Sequence, residues 1–226
     1  MASATTHSLP TDCEPDDPEP RGLAIVIVLA TVGMQFALPP ALAVVPPYAL
    51  FVIVSLLLIG TVWSHRSRNH TMNNAFGYTM TGTLTLYMMG ALFLLVQGLP
   101  SHKETPKQLL LSAATLWVSN ILIFASWYWR IDAGGPNMRD LRPCHTDGDF
   151  LFPQMTLDAE KRQELGIKEW TPSFTDYLFL AFNTSTAFSP TDTAVLKPRA
   201  KWLIMLQAVI SLIIIALLAG RAVNIL

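Results

Sequence analysis

Five long stretches of this chain hold no Asp, Glu, Lys, Arg or His between their ends, and nothing else in it constrains the fold as strongly. They cover 22–38, about 47–63, 78–99, 107–130 and 202–220. A helix needs about 20 apolar residues to cross about 30 Å of hydrocarbon, so each stretch is read as a transmembrane helix. The 15 basic and 16 acidic residues collect at the ends of these stretches and between them, as expected of water-facing termini and loops. Charged residues make up only 14% of the chain, against about a quarter in ordinary soluble domains. A net charge of −1 argues against a nucleic-acid partner.

The predicted fold is an all-α, polytopic helical membrane protein of five long transmembrane helices plus one short hydrophobic segment, 174–190. Residues 1–21 form an acidic, Pro-rich tail with five acids before Arg21, which reads as disordered and not as a secretory signal. Residues 22–130 make a four-helix transmembrane region. The link "PPALAVVPP" inside it has prolines at each end that forbid one continuous helix. A polar loop, 131–173, follows, and "LDAEKRQELGIKEW" within it suggests a short surface helix. The last region, 174–226, holds the short segment and the final helix. Basic residues crowd the ends that share a side with Arg21, which puts the N-terminus in the cytoplasm. The lipid bilayer is the first partner this implies. No internal repeat of the transporter kind occurs.

The polar residues inside the spans are uncharged. Ser112, Ser119 and Ser126 recur at seven-residue spacing beside Asn120, which reads as a packing seam with interhelical hydrogen bonds. Thr79, Thr81, Thr83 and Thr85 are expected to bond back to the preceding helical turn. Gln207 and Ser211 share one face of the last helix, as helix glue or as the lining of a path. Coupled transport and membrane haem chemistry both want ionisable side chains at mid-membrane, and these spans offer none. Cys144, His145, Asp147 and Asp149 lie close together, but without paired CxxC or HxxxH spacing the cluster reads as a polar turn and not a metal site. Cys13 and Cys144 are read as free thiols. No GxSxG, HExxH, Walker or GxGxxG motif occurs, so no catalytic residue, cofactor or metal is assigned and the chain is not expected to be an enzyme.

The segment "FTDYLFLAFNTSTAFSPTD" is the unusual one. As a helix, 174–188 reaches only about 22 Å, and Pro190 stops it from continuing. Irregular backbone at membrane depth is tolerated only inside protein or along a wet cavity. Such a half-span followed by a full span suits a loop that re-enters, with a full crossing as the alternative.

The segment resembles the pore-loop region of potassium-channel-like proteins, which have a pore helix, a T-x-T-T-V-G-Y-G-D filter and an inner helix. Thr184, Thr186 and Asp192 match that register, whereas Ser189 and Thr191 stand where the filter has glycines. Backbone carbonyls cannot be presented there as in a potassium filter. Such channels also place this loop outside, opposite to the side the charges indicate here.

The whole chain resembles an uncharacterised bacterial inner-membrane family, domain of unknown function 1345. The resemblance rests on "HRSRNH" after the second span, "ASWYWRIDAGG" after the fourth, and the final fifty residues with their aromatic half-span, T-D element, "KPRAK" cluster and last helix. It implies the bacterial inner membrane and no established activity. Two functions are expected. One is a pore-loop-like ion channel, or a degenerate relative with weak cation preference, that assembles as a homo-oligomer and passes monovalent cations. Its candidate pore-lining residues are Thr184, Ser185, Thr186, Thr191, Asp192, Gln207 and Ser211. The other is a non-conducting membrane scaffold or accessory subunit.

Overall fold

The computed structural model describes residues 19–99, 105–142, 145–167, 170–186 and 192–222. It is all-α apart from one two-stranded ladder. The helices are α1 (Gly22–Met34), α2 (Pro47–Arg66), α3 (His70–Gly98), α4 (Pro106–Ile131), α5 (Pro136–Arg139), α6 (Ala159–Glu164), α7 (Phe174–Thr186) and α8 (Pro198–Ala222). Strands β1 (Phe150–Leu151) and β2 (Ala194–Val195) pair antiparallel, Phe150 opposite Val195.

Among the described residues four helices, α2, α3, α4 and α8, are long and apolar enough to cross a membrane. Their outward faces carry large apolar side chains such as Phe51, Leu56 and Ile59 on α2, and Trp202, Val209 and Leu212 on α8. An apolar exterior of that extent suits contact with lipid better than with water.

The first expected span is shorter than predicted. Its α-helix ends at Met34, and a single 3-10 turn, Gln35–Ala37, carries the chain to Leu38. Pro39 and Pro40 explain the stop, because neither ring can enter the preceding helix without breaking its hydrogen bonds. The apolar link then crosses to α3, where Gly90 makes room for Val44; a Cβ at Gly90 would lie 2.6 Å from Val44 Cγ2.

α3 begins well before the predicted 78. Asn69 caps it by accepting from the Met72 amide, and the polar turn beyond is used in packing. Asn73 donates to the Thr61 carbonyl at 2.7 Å and accepts from Asn137 at 2.7 Å. α4 opens with a capping box between Thr105 and Gln108, with Pro106 at its first position. It stops where Ala133, Gly134 and Gly135 all take positive φ.

α4 is the central helix, packed against α1, α3, α7 and α8. Its serine seam is buried as expected: Ser112, Ser119 and Ser126 are all inside, and Ser119 accepts from Gln35 Nε2 of the neighbouring 3-10 turn. Thr81, Thr83 and Thr85 of α3 each bond to the carbonyl four residues earlier.

Side-chain bonds show which helix ends lie together. Arg21 before α1 reaches His65 at the end of α2, and Tyr78 in the early part of α3 donates to the Arg130 carbonyl at the end of α4. Tyr177 in the first turn of α7 bonds to Asp132 just past α4, and Arg199 in the first turn of α8 to the carbonyl of Ile131, its last residue. α7 and α8 therefore start from the same end of the bundle and run side by side in the same direction. α7 stops after about 20 Å at 1.5 Å per residue. By Ala194 the chain is back at its starting end, where β2 joins β1.

The tail is not free throughout. Residues 1–18, including Cys13, lie outside the described part, but Glu19 pairs with Arg139 at 2.7 Å and Arg21 with Asp140 at 2.6 Å. These two ion pairs dock the end of the tail on α5 and the turn after it.

The Arg130 side chain of α4 lies directly against Gly77 of α3. A Cβ there would lie 1.8 Å from Arg130 Nη1 and 2.3 Å from its Cζ. Gly77→Ala is expected to cost about 1–3 kcal/mol by overpacking, read as a lower Tm in detergent. Because the clash is with one side chain, Gly77→Ala/Arg130→Ala should be no less stable than Arg130→Ala alone.

Candidate functional site

Four of the residues that the sequence marks as pore-lining come together in one closed cluster between α4, α7 and α8. Gln207, fully buried on α8, donates through Nε2 to the Ala181 carbonyl at 2.7 Å and to Ser185 Oγ at 2.8 Å. Its Oε1 accepts from the Tyr128 hydroxyl of α4. Ser211, one turn further along α8, bonds to Ser185 Oγ at 3.0 Å and accepts from Asn120 Nδ2 at 2.7 Å. Thr184 is buried beside them and bonds back to the Leu180 carbonyl. Every one of these side chains faces an apolar interior, where an unmet hydrogen bond costs far more than in water.

The remaining candidates lie apart from the cluster. Thr186 is exposed and its hydroxyl returns to the Phe182 carbonyl of its own helix. Asp192 is exposed. Thr191 lies outside the described residues, as do Ser189 and Pro190.

A second polar cluster forms where α4 ends, and its centre is Asp132, a fully buried carboxylate. Oδ1 accepts from the backbone amides of Asp149 and Phe150, and Oδ2 accepts from the Tyr177 hydroxyl at 2.7 Å. His145 Nε2 lies 3.1 Å from Oδ2, close enough for an ion pair but off the line of a hydrogen bond. Gly148 permits this crowding: a Cβ would lie 2.9 Å from His145 Nε2 and 3.3 Å from Asp132 Oδ1.

Asp149, also fully buried, takes both arms of the Arg199 guanidinium at 2.6 and 2.7 Å, and Arg199 donates onward to the Ile131 carbonyl. Arg139 closes the far side by donating to the Trp129 and Asp132 carbonyls. At the rim, Lys197 reaches the backbone carbonyl and carboxylate of Asp147, and its hydrogen bond holds that carboxyl below the usual range.

Polarity pointed to Gln207 and Ser211 and the pore-loop resemblance to Ser185, whereas nothing singled out Tyr128, which stands between two tryptophans in "ASWYWRIDAGG". Of the second cluster, only His145, Asp147 and Asp149 stood out, as neighbours in "PCHTDGDF". Asp132, Tyr177 and Arg199 are too distant along the chain to be grouped with them by spacing. Cys144 lies outside the described residues, and among those residues no group of three His, Cys, Asp or Glu side chains is arranged to hold a metal ion.

What the two arrangements do chemically is to fasten. In each, side chains of one element bond to groups supplied by another, and the buried acids are neutralised by bidentate Arg or by several donors. Comparison with known proteins leaves this geometry to stand alone: no family model, no curated protein and no solved structure matches the chain.

Gln207→Leu would remove the acceptor of the Tyr128 hydroxyl and leave Ser185 with Ser211 alone, and is expected to destabilise the protein by about 1–3 kcal/mol. Ser211→Ala removes fewer contacts and should cost less, about 0.6 kcal/mol, as is common for hydroxyls between membrane helices. Thermal unfolding in detergent ranks the pair, and the reverse order would contradict the cluster. Asp132→Asn turns an acceptor into a donor facing either two amides or a hydroxyl. Hydrogen exchange at the Asp149 and Phe150 amides should then rise at least tenfold.

Proposed function

We propose that this chain is an integral membrane protein in which α2, α3, α4 and α8, with the shorter α1, form the embedded body. Residues 174–193 make a re-entrant segment, α7 entering from the side of the N-terminus and the chain returning to that side before α8. The crowding of basic residues at that end supports a cytoplasmic N-terminus, and the family resemblance supports the bacterial inner membrane. The function that fits best is a non-conducting scaffold or accessory subunit whose topology is that of a pore loop. It carries out no catalysis.

One observation carries this reading. The hydroxyls and amide that would line a path, Ser185, Gln207 and Ser211, spend their hydrogen bonds on one another and on α4. A pore-lining side chain has to offer free donors or acceptors to a passing ion or its water. Here the half-helix is bolted to the helix that follows it.

The channel reading keeps one specific support. Thr186, at the end of the half-helix, and Asp192 are exposed, and among the described residues neither is bonded to another helix. In a homo-oligomer they could face a shared axis and favour monovalent cations.

Potassium and sodium flux into liposomes carrying the purified, folded protein separates the two. Flux no greater than in protein-free liposomes is the expected result. Flux that Asp192→Asn and Thr186→Val both alter would instead make 174–193 a pore element.

A further inference from the structure

Near the end of the bundle that holds the N-terminus, a cavity of about 160 Å³ opens between α1, α2, α3 and α4. One buried water needs about 10–15 Å³, so this space takes a group far larger than a single water. Its walls are mostly apolar, with Ile25, Val28, Leu58 and Met80 among them, and its polar rim includes Arg66 and Arg130.

Arg130 is the anomaly. It is 93% removed from solvent (7% exposed), yet among the described residues no carboxylate pairs with it and its Nε has no hydrogen-bond partner. The other buried arginine of this end, Arg139, has Glu19, and Arg21 at the cavity edge has Asp140. Arg66 is exposed at the rim and likewise has no acid partner among the described residues. A buried charge without a counter-ion is expensive, and here the fold has prepared a place for one. Gly77 leaves the space in which the guanidinium lies, and the Trp129 ring sits 5.4 Å from its Cζ.

We propose that this cavity binds an anionic amphiphile, its phosphate or carboxylate head on Arg130 and Arg66 and its acyl chain among Ile25, Val28, Leu58 and Met80. The chemistry matches the depth: the arginines lie at the last turns of α2 and α4, where a lipid head group resides, and the apolar wall runs inward from them. A zwitterionic lipid carries a choline that Arg66 would repel. A free inorganic anion would leave the apolar wall uncovered.

Native mass spectrometry of delipidated, full-length protein in maltoside micelles tests this, with dioleoylphosphatidylglycerol titrated against dioleoylphosphatidylcholine. Saturable binding of the anionic lipid, at least tenfold tighter than the zwitterionic one, is expected. Arg130→Gln should weaken it at least tenfold. Ile25→Trp, which fills the cavity and keeps every charge, should do the same and decides the matter if Arg130→Gln does not fold. Competition by laurate would assign the site to a soluble single-chain acid, and failure of laurate to compete would assign it to membrane phospholipid; both support the proposal. Equal binding of the two phospholipids, wild-type binding in the folded variants, or displacement by millimolar inorganic phosphate would overturn it.

Discussion

A carboxylate buried in an apolar bundle has to be met on both oxygens, and the organisation of one whole end of this protein follows from how Asp132 is met. Its Oδ1 gathers the Asp149 and Phe150 amides, which fixes the start of β1. Its Oδ2 takes the Tyr177 hydroxyl, which fixes the start of α7. Asp149, held in place by this, then captures Arg199 and fixes the start of α8. Three elements separated by long stretches of chain thus begin at one point. That α7 and α8 run in parallel is a consequence of where they are tied, because a helix that starts beside Asp132 can only enter the bundle from there. The pairing of β2 with β1 adds a backbone link between the same two places.

Much of the helical body could be read in the sequence, because long apolar runs report burial in hydrocarbon whatever their neighbours are. Helix ends were less readable. Asn73 looks like a loop residue until Thr61, Ser64 and Asn137 are placed around it, and only then does the early start of α3 make sense. The first helix erred the other way: its apolar run continues to Leu38, but the proline pair stops regular geometry sooner. The half-helix was visible because its length and Pro190 conflict with a full span. In the central cluster, amide and hydroxyl residues on an apolar helix announced themselves, while Tyr128 did not, since a tyrosine near two tryptophans suits an interface equally well. Asp132 was hidden for a different reason. A single acid after "YWRI" looks like a water-facing residue, and its burial is set by partners up to 45 positions away.

The two polar clusters and the cavity differ in how their charges are balanced. In the clusters the buried acids are matched from within the chain, which favours one rigid arrangement over alternatives. Around Arg130 the match is incomplete, although Gly77 and Trp129 hold the guanidinium in place. A buried cation left open beside an apolar cavity gives that cavity a capacity for recognition that the closed clusters lack.

The parallel lie of α7 and α8 also bears on how the protein is made. Chains emerge from the ribosome N-terminus first, and segments tend to fold in that order. α7 packs on α4, behind it in the chain, and on α8, ahead of it, with Ala181 and Ser185 waiting for Gln207. When α7 is first synthesised, part of its seat does not yet exist. Its final position is reached only after the last helix has been delivered, so the C-terminal helix acts as the wedge that closes an otherwise unfinished bundle.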